Sequence, residues 1–183
     1  IQKMVNSGLG SAGVAFSLKK PESYFKTNLI GFFNICKIAK FYNVKKVLFA
    51  SSSSVYGDNK KLPVKENYDL NPLSYYAITK QNNEQTAKFF STICKTRFIG
   101  LRFFSVYGLF GRPDMIMYKL FDAIYFNKNI SIYNRGDHYR DFTFVDDVTE
   151  YVYRLFSKFS NLRIQNEVYN IACGNSVSLK KII

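Results

Sequence analysis

Short apolar runs alternate with segments of helical periodicity along this chain of 183 residues, and this alternation constrains the fold more than any other feature. Apolar residues recur at helical spacing over residues 21–42, and the apolar run "VKKVLFA" follows them. A second helical pattern covers 74–93 and precedes "RFIGLRFF", which predicts a strand. A third covers 145–159 and precedes "EVYNIA". Strands that alternate with helices predict a parallel sheet and an α/β fold.

The segments between these elements carry turn residues and shorter patterns. Residues 57–73 are polar and contain two prolines, which predicts a loop. A loop with glycine and proline is expected at 107–114, followed by a helix over 115–126. We expect "ISIY" at 130–133 to form a short strand and "NRGDHYR" after it to form a polar turn.

The composition is typical of a globular protein, with 47% apolar and 17% aromatic residues. No apolar run is long enough to cross a bilayer, since the most apolar region, "FIGLRFFSVYGLFG", contains Arg102. The first residues lack the basic and apolar blocks of a secretory signal. We therefore expect a cytoplasmic protein that does not associate with a membrane. Because the first residue is Ile, we also expect the chain to be a piece of a longer protein.

The formal net charge of +13 raises the possibility of nucleic-acid binding. The basic residues, however, form scattered pairs rather than a dense block. Lysine at ordinary surface positions explains this pattern, so we expect no nucleic-acid partner. A positive field of this size attracts phosphorylated substrates.

The three cysteines, Cys36, Cys94 and Cys173, are far apart in the sequence and show no metal-ligand spacing. The single histidine, His138, does not supply them with a partner. We expect three buried or partly buried free thiols in a reducing compartment, and no metal site.

Gly8, Gly10 and Gly13 match the G-x-G-x-x-G pattern of dinucleotide-binding loops. That pattern requires a strand before it and a helix after it, so that a pyrophosphate meets the helix N-terminus. "IQKMVNS" is a poor strand, and Pro21 follows the glycines closely. We therefore interpret the glycines as a flexible terminus and not as the cofactor fingerprint.

Tyr76 and Lys80 in "YYAITK" form a stronger signal, because residues i and i+4 of a helix share one face. A neighbouring cation favours the phenolate form of tyrosine, which makes Tyr76 a candidate general base. The spacing alone also occurs on solvated helix faces. The serine row, Ser51–Ser54 in "ASSSSVYG", strengthens the first interpretation, since it follows a predicted strand at the end where parallel sheets bind ligands.

Four motifs, "ASSSSVYG", "YYAITK", "LRFFSVYG" and "RDFTFVDDV", together resemble the extended short-chain dehydrogenase/reductase family, the nucleotide-sugar epimerases and dehydratases. The resemblance covers residues 12–183. "GRPDM" after "VYG" is most similar to the UDP-glucuronate 4-epimerases. The resemblance implies NAD as cofactor and a nucleotide-sugar substrate.

The resemblance also implies a mechanism for three residues. Tyr76 takes the proton of the sugar 4-hydroxyl while hydride leaves C4 for NAD⁺, and the 4-keto sugar turns over before hydride returns. Lys80 holds the nicotinamide ribose and lowers the pKa of Tyr76. Ser52 hydrogen-bonds the same sugar oxygen. The implied cofactor is regenerated in each cycle.

Further contacts follow from the resemblance. Cofactor contacts are implied for Tyr76 and Lys80 themselves and for Asn28, Ser51 and Phe103. Substrate contacts are implied for Ser53, Ser54, Ser105, Arg112 and Arg140. Arg140 matches an arginine that binds the diphosphate, and Arg112 is the candidate for the sugar carboxylate. An alternative of nearly equal weight is that Arg112 is a loop arginine that pairs with Asp114.

Ser53 and Ser54 stand where the 4,6-dehydratases of the family carry Asp-Glu, so the sequence favours epimerisation over dehydration. The leading interpretation is a nucleotide-sugar 4-epimerase that acts on UDP-glucuronate and UDP-galacturonate. The alternatives are a UDP-glucose or UDP-hexose 4-epimerase, a UDP-glucuronate decarboxylase, or a catalytically inactive fragment.

We expect a partial doubly wound Rossmann-type domain at 1–106 that lacks its first βα units and its glycine motif. Residues 107–183 are expected to form part of a smaller C-terminal substrate-binding region, with strand 167–172 returning to the Rossmann sheet. The resemblance implies a homodimer formed through the helices at 21–42 and 74–93. The origin of residues 1–11 stays open.

Overall fold

A computed structural model of the chain describes residues 3–6, 11–158 and 166–183. The chain divides into two compact units, one made of 1–103 and 156–170 and the other of 104–155 and 171–183. Among the described residues, none of the helices has the length and apolarity that a bilayer crossing requires. The division of function between a cofactor domain and a substrate domain stays a prediction.

Parallel pairing organises the sheet of the first unit, as the alternation of strands and helices predicts. The described strands are β1 (Lys3–Asn6), β2 (Lys46–Ser52), β3 (Arg97–Phe103), β4 (Ser105–Tyr107), β5 (Tyr139–Phe144), β6 (Asn166–Ile171) and β7 (Ser176–Ser178). The first sheet has the order β1-β2-β3-β6, and β2 is parallel to both β1 and β3. The α/β fold class is therefore confirmed.

The predicted helices are present, with one irregular segment. The described helices are α1 (Val14–Lys19), α2 (Pro21–Tyr24), a π-helical segment (Phe25–Ile30), α3 (Gly31–Phe41), α4 (Tyr75–Ile93), α5 (Ile116–Phe126) and α6 (Val145–Lys158). The segment predicted as one helix at 21–42 therefore contains a π-helical insertion, which often marks a functional position. The hydroxyl of Ser74 caps α4 by accepting the backbone N–H of Ala77 at 3.1 Å.

The core of the first unit lies between helices α3 and α4 and strands β2 and β3. Phe32, Phe49, Phe90 and Phe98 pack there with Cys36, and each is at most 3% exposed. Burying one such side chain stabilises the fold by roughly 1.5–3 kcal/mol. Burial, with a further contribution from neighbouring Cys94, raises the pKa of Cys36 to about 12.

The cysteine expectation is correct for two positions and wrong for the third. Cys36 is buried and Cys94 is partly buried, but Cys173 is exposed. Cys173 follows β6 in the turn that leads to β7. Its backbone N–H donates to Asp141 Oδ1 and Thr143 Oγ1, and the residue is exposed in that turn.

A three-stranded sheet organises the second unit. β4 pairs with β5 in parallel, and β5 pairs with β7 in antiparallel orientation. Helix α5 and residues 145–155 of α6 belong to the same unit. This sheet carries Ser105 on β4 and Arg140 on β5, for both of which a substrate contact is predicted.

One local prediction in the second unit is wrong and another is correct in part. "ISIY" does not form a strand. The turn predicted for "NRGDHYR" is present as a 3-10 turn at Tyr133–Gly136, but the last two residues of that segment already belong to β5, Tyr139–Phe144. Only Thr143 is fully buried in β5, so the strand lacks a clear apolar alternation and depends on pairing with two neighbours.

The interpretation of "IQKMVNS" as a poor strand is also wrong. Lys3–Asn6 forms β1, which pairs with Lys46–Phe49 of β2. Pairing with an existing strand outweighs the weak local pattern. Gly8 and Gly10 of the glycine-rich segment lie outside the described residues.

Candidate active site

The serine row marks the carboxyl end of β2, where the strand turns into a 3-10 segment. Ser51 and Ser52 are buried, and Ser53 and Ser54 are partly exposed. Ser52 caps the turn, because its Oγ accepts the backbone N–H of Ser54 at 3.2 Å. The Ser52 hydroxyl also lies 3.1 Å from the Ser54 hydroxyl. The row is therefore an ordered strand end and not a linker.

Helix α4 brings Lys80 to the same strand end. The ammonium of Lys80 donates to the backbone carbonyl of Ala50 at 3.0 Å, although the side chain is only 6% exposed. Burial lowers the pKa of Lys80 to about 8. The cation lies 5.8 Å from the centroid of the Tyr76 ring. The structure therefore places Tyr76 and Lys80 side by side, next to the strand that ends at Ser52.

The Tyr76 ring is partly exposed and packs edge-on against Tyr24, with 6.1 Å between ring centroids. Tyr24 is fully buried, and its hydroxyl lies within hydrogen-bond distance of the backbone carbonyls of Ala12 and Gly13. Contacts of this kind restrict the tilt of an aromatic ring. Tyr24 thus links Tyr76 to the segment that precedes α1.

Asn28 lies in the π-helical segment and is 1% exposed. Its amide nitrogen donates to Ser11 O at 3.1 Å and to Thr79 Oγ1 at 2.9 Å, and its amide oxygen accepts the Ser11 N–H at 2.8 Å. The backbone carbonyl of Asn28 faces the side-chain amide of Asn83, which donates to it at 3.0 Å in the orientation that satisfies both ends of that amide. Both ends of the Asn28 side chain therefore bond protein groups, and a cofactor contact from it stays a prediction.

Ser51 and Phe103, two further predicted cofactor contacts, occupy different environments. The Ser51 hydroxyl donates to Glu84 Oε1 at 2.6 Å inside the protein. Phe103 is the register partner of Ser52 in the β2–β3 pair and is partly exposed. Phe103 thus lies beside the strand end, whereas the Ser51 side chain is engaged in the interior.

The other predicted substrate contacts belong to the second unit. Ser105 begins β4 and pairs in register with Phe142 of β5. Arg140 lies two residues before Phe142 on β5 and is exposed. Ser105 and Arg140 therefore belong to neighbouring strands of one sheet.

Arg112 lies in the loop between β4 and α5. Its guanidinium makes two 2.8 Å hydrogen bonds to the carboxylate of Asp114. These bonds hold the pKa of Asp114 below its usual value. Both side chains remain largely exposed, at 42% and 61%. Pairing with Asp114, one of the two alternatives from the sequence, is present in the structure.

Sequence reasoning missed a buried ion pair next to the serine row. Glu84 of α4 and Arg102 of β3 form it, with Nη2 and Oε2 2.8 Å apart. A charged residue inside the apolar run "FIGLRFF" is the signal for such a partner, because a buried arginine requires a counter-charge. The sequence does not show which of the acidic residues supplies it.

Comparison with known proteins identifies relatives. The profile of the NAD dependent epimerase/dehydratase family matches residues 2–172. An uncharacterized protein of Methanocaldococcus jannaschii is 42% identical over 170 residues, 92% of this chain and 50% of that protein. A probable UDP-glucuronate 4-epimerase of Rhizobium meliloti is 41% identical over 145 residues, 79% of this chain and 42% of that protein. The chain spans about half the length of the curated relatives it matches.

A solved structure has the same fold. The UDP-glucuronic acid 4-epimerase of Bacillus cereus, in complex with UDP-glucuronic acid and NAD, matches with a TM-score of 0.91. The sequence identity is 29%, and the match covers 98% of this chain and 57% of that one. The likeness therefore includes both units of the chain.

Proposed function

Because this chain belongs to the NAD-dependent epimerase/dehydratase family, we propose that the protein is a nucleotide-sugar 4-epimerase that interconverts UDP-glucuronate and UDP-galacturonate. The observation that carries the proposal is the arrangement at the carboxyl end of β2. There Lys80 bonds the Ala50 carbonyl, its cation lies beside the Tyr76 ring, and Ser52 ends the strand. The relative from Rhizobium meliloti supports the substrate class.

The residues at this strand end fit a nicotinamide dinucleotide. Dinucleotides bind beyond the carboxyl ends of parallel strands, and a buried ammonium there suits a ribose or phosphate oxygen. Lys80 and Phe103 are the residues that we assign to hold the cofactor, while Asn28 and Ser51 support the site through bonds within the protein. Bound NAD supplies a reversible hydride acceptor for the sugar carbon C4.

Tyr76 acts as the general base of the proposed reaction. The neighbouring Lys80 cation favours its phenolate, which takes the proton of the sugar 4-hydroxyl and later returns it. Ser52 orients the same sugar oxygen by a hydrogen bond. A positioned base of this kind contributes on the order of 10²- to 10⁴-fold to the rate.

Three residues of the second unit bind the substrate in this proposal. Arg140 and Ser105 bind the diphosphate, and Arg112 binds the sugar carboxylate. The carboxylate of Asp114 already occupies the guanidinium of Arg112 in bidentate geometry. A sugar carboxylate has the same geometry and displaces Asp114 from the arginine.

Dehydration is not the proposed reaction, because Ser53 and Ser54 carry hydroxyls where an acid and a base are needed. Both side chains are partly exposed beside Ser52. They remain available as hydrogen-bonding groups for the sugar. Epimerisation requires no further acid–base pair, since the proton and the hydride both return to the substrate.

The test uses the complete protein as its gene encodes it, incubated with UDP-glucuronate, UDP-galacturonate or UDP-glucose and followed by proton NMR. We expect the two uronates to reach the same mixture from either side, without release of carbon dioxide. Tyr76→Phe should slow this reaction about 10²-fold or more, whereas Tyr75→Phe, at the adjacent position, should not.

The other outcomes overturn the assignment in distinct ways. Conversion of UDP-glucose alone shows a hexose epimerase, and release of carbon dioxide shows a decarboxylase. A folded protein that converts none of the three sugars shows an inactive member of the family.

We also propose a homodimer formed through α3 and α4. Both helices expose large apolar side chains, among them Phe33 at 46%, Phe41 at 78% and Phe89 at 56%. Apolar helix faces of this size are typical of interfaces between copies. Sedimentation of the complete protein and of its Phe89→Lys variant tests this, with the variant expected to shift toward the monomer.

The proposed compartment is the cytoplasm. Cys36, Cys94 and Cys173 are free thiols in the structure. Free thiols persist in reducing compartments, which supports this proposal. Fractionation of cells that produce the complete protein tests it.

A further inference from the structure

The buried ion pair of Glu84 and Arg102 joins the middle of α4 to two strands of the sheet. Arg102 Nε lies 2.9 Å from Glu84 Oε1, and Arg102 Nη2 lies 2.8 Å from Oε2, in a bidentate arrangement. The side chains are 4% and 6% exposed. The same carboxylate accepts the Ser51 hydroxyl at 2.6 Å, directly before Ser52. The pair therefore contacts the serine row itself.

The remaining nitrogen of Arg102 reaches the loop between the serine row and α4. Nη1 donates to the hydroxyl of Tyr56 at 2.8 Å and to the carbonyl of Glu66 at 3.1 Å. Tyr56 in turn donates to Asn170 Oδ1 on β6 at 2.6 Å. The Asn170 amide donates to the carbonyl of Val64 at 3.1 Å. One guanidinium thus ties the loop that connects Ser52 to Tyr76 to the sheet.

Glu84 lies one helical turn from Lys80 and two from Tyr76, so these three residues share one face of α4. Lys80 bonds the carbonyl of Ala50, and Glu84 bonds the hydroxyl of Ser51. Two side chains of one helix face therefore bind two successive residues of β2. The register of α4 along β2 is fixed at both points.

Stability alone does not account for a buried ion pair. Apolar side chains of similar volume are often as stabilising or more so, because two charges lose their hydration on burial. What the pair provides is direction: a bidentate contact fixes both the distance and the orientation of the two groups. The contacts of this pair converge on the segments that carry Ser52, Tyr76 and Lys80.

We propose that Glu84 and Arg102 are positioning residues that hold the Tyr76–Lys80 face of α4 in register with the serine row. They do not touch the reacting atoms; they act through Ser51 and through the loop before α4. The inference rests on the proposed function, because it assigns these residues to the same site. A displacement of about 1 Å at such a site costs on the order of 10²-fold in rate.

The central variant is the double substitution Glu84→Leu with Arg102→Met, which removes both charges and retains apolar volume. We expect its thermal unfolding midpoint to stay near that of the wild type, while kcat falls about 10- to 100-fold and KM changes less than about threefold. Glu84→Gln serves as the second variant, because it keeps the shape and the acceptor for Ser51 but removes the charge. We expect an intermediate kcat from it and a lower unfolding midpoint, because Arg102 then lacks its counter-charge.

The matched control is Glu150→Gln, which breaks the exposed ion pair of Glu150 with Arg154 on α6. It should leave the midpoint, kcat and KM unchanged. Wild-type kcat in the stable double variant overturns the inference. A parallel loss of unfolding midpoint and kcat in both variants also overturns it, since that pattern indicates a structural role alone.

A second readout does not depend on turnover. The near-ultraviolet circular dichroism of each protein, minus that of the same protein with Tyr76→Phe, reports the packing of the Tyr76 ring. We expect this difference spectrum to weaken in the double variant, because the Tyr76 face of α4 is no longer held beside the strand end. An unchanged difference spectrum in a folded variant overturns the inference. If the wild type converts no nucleotide sugar, the proposed function fails, and the difference spectrum still decides the positioning role.

Discussion

Lys80 donates its ammonium to the backbone carbonyl of Ala50 across 3.0 Å, so a buried cation of α4 holds the last part of β2. The side chain is 6% exposed, and burial lowers its pKa from 10.5 to about 8. The cation therefore lies where water no longer stabilises it. Perturbed charges of this kind are typical of functional sites, and in the proposed function Tyr76, whose ring centroid lies 5.8 Å away, is the group that depends on this cation.

Replacing Lys80 by methionine should separate stability from function. The pKa difference between 10.5 and about 8 corresponds to a burial cost of about 3 kcal/mol below pH 8. Lys80→Met removes this cost together with the bond to Ala50. The folded wild type binds fewer protons than the unfolded chain between the two pKa values, so its stability relative to Lys80→Met should rise across this window.

The measurement is the free energy of unfolding of both proteins in urea, at pH 7 and at increasing pH up to about 10. The difference between the two proteins cancels the titration of all other groups. We expect the wild type to gain about 2–3 kcal/mol relative to the variant over this range. If the difference in free energy of unfolding between the two proteins does not change with pH, Lys80 is not a desolvated cation in the folded protein. Turnover in the proposed reaction should be lost in the variant at every pH.

Releasing Arg112 from Asp114 should improve the binding of an acidic sugar. Asp114→Asn removes the competing carboxylate while Arg112 keeps its charge. We expect KM for UDP-glucuronate to fall a few-fold and KM for UDP-glucose to stay the same. Stability should change by less than about 1 kcal/mol, because the pair is exposed. Steady-state kinetics with both sugars is the measurement.

The control for this prediction is Arg112→Lys, which keeps a charge but loses the bidentate geometry. It should raise KM for UDP-glucuronate and leave UDP-glucose unaffected. If both substitutions change the two substrates equally, Arg112 does not bind the sugar carboxylate.

Asn28 should contribute strongly to stability, because its amide bonds both backbone groups of Ser11 and the hydroxyl of Thr79. Asn28→Ala removes all three hydrogen bonds of this buried side chain, at a cost of about 1–3 kcal/mol. Asn34→Ala, on an exposed position of α3, should change stability by less than about 0.5 kcal/mol. Urea unfolding compares the two variants. Equal midpoints would show that the hydrogen bonds of Asn28 do not stabilise the fold.

Local patterns in the sequence predict the elements that bury a regular apolar face. Helix α4 and strand β3 have the expected bounds to within a residue or two. The pair Tyr76 and Lys80 is also local, because the spacing i, i+4 is read directly from a helix. Their predicted roles follow from that spacing and from the resemblance to a family.

Local patterns do not predict contacts between distant segments of the chain. β1 and β5 have weak local patterns and are stabilised by their neighbours in the sheet. Glu84 and Arg102 lie 18 positions apart on different elements, and nothing in the sequence pairs them. The bond of Ser51 to Glu84 follows from the same packing, which the sequence does not show, so the resemblance alone implies a cofactor contact for Ser51.

Gly57 should not tolerate a side chain, although it is exposed and follows the serine row immediately. Its backbone has φ 63° and ψ −139°, a region that is open almost only to glycine. A Cβ at this position would lie 1.8 Å from the carbonyl oxygen of Asn71, a backbone atom that has no rotamer to change. Gly57→Ala must therefore displace the loop that leads to α4, at a cost of about 3 kcal/mol or more.

Gly174 provides the matched control, because it also has a positive φ, 83°, but a Cβ there meets no atom within 4 Å. Gly174→Ala should cost only about 1 kcal/mol from the backbone conformation. Thermal unfolding of both variants separates the two contributions. We also expect Gly57→Ala to reduce the rate of the proposed reaction, since Gly57 ends the turn that Ser52 caps. Equal losses of stability in the two variants would show that the contact with Asn71 relaxes without cost.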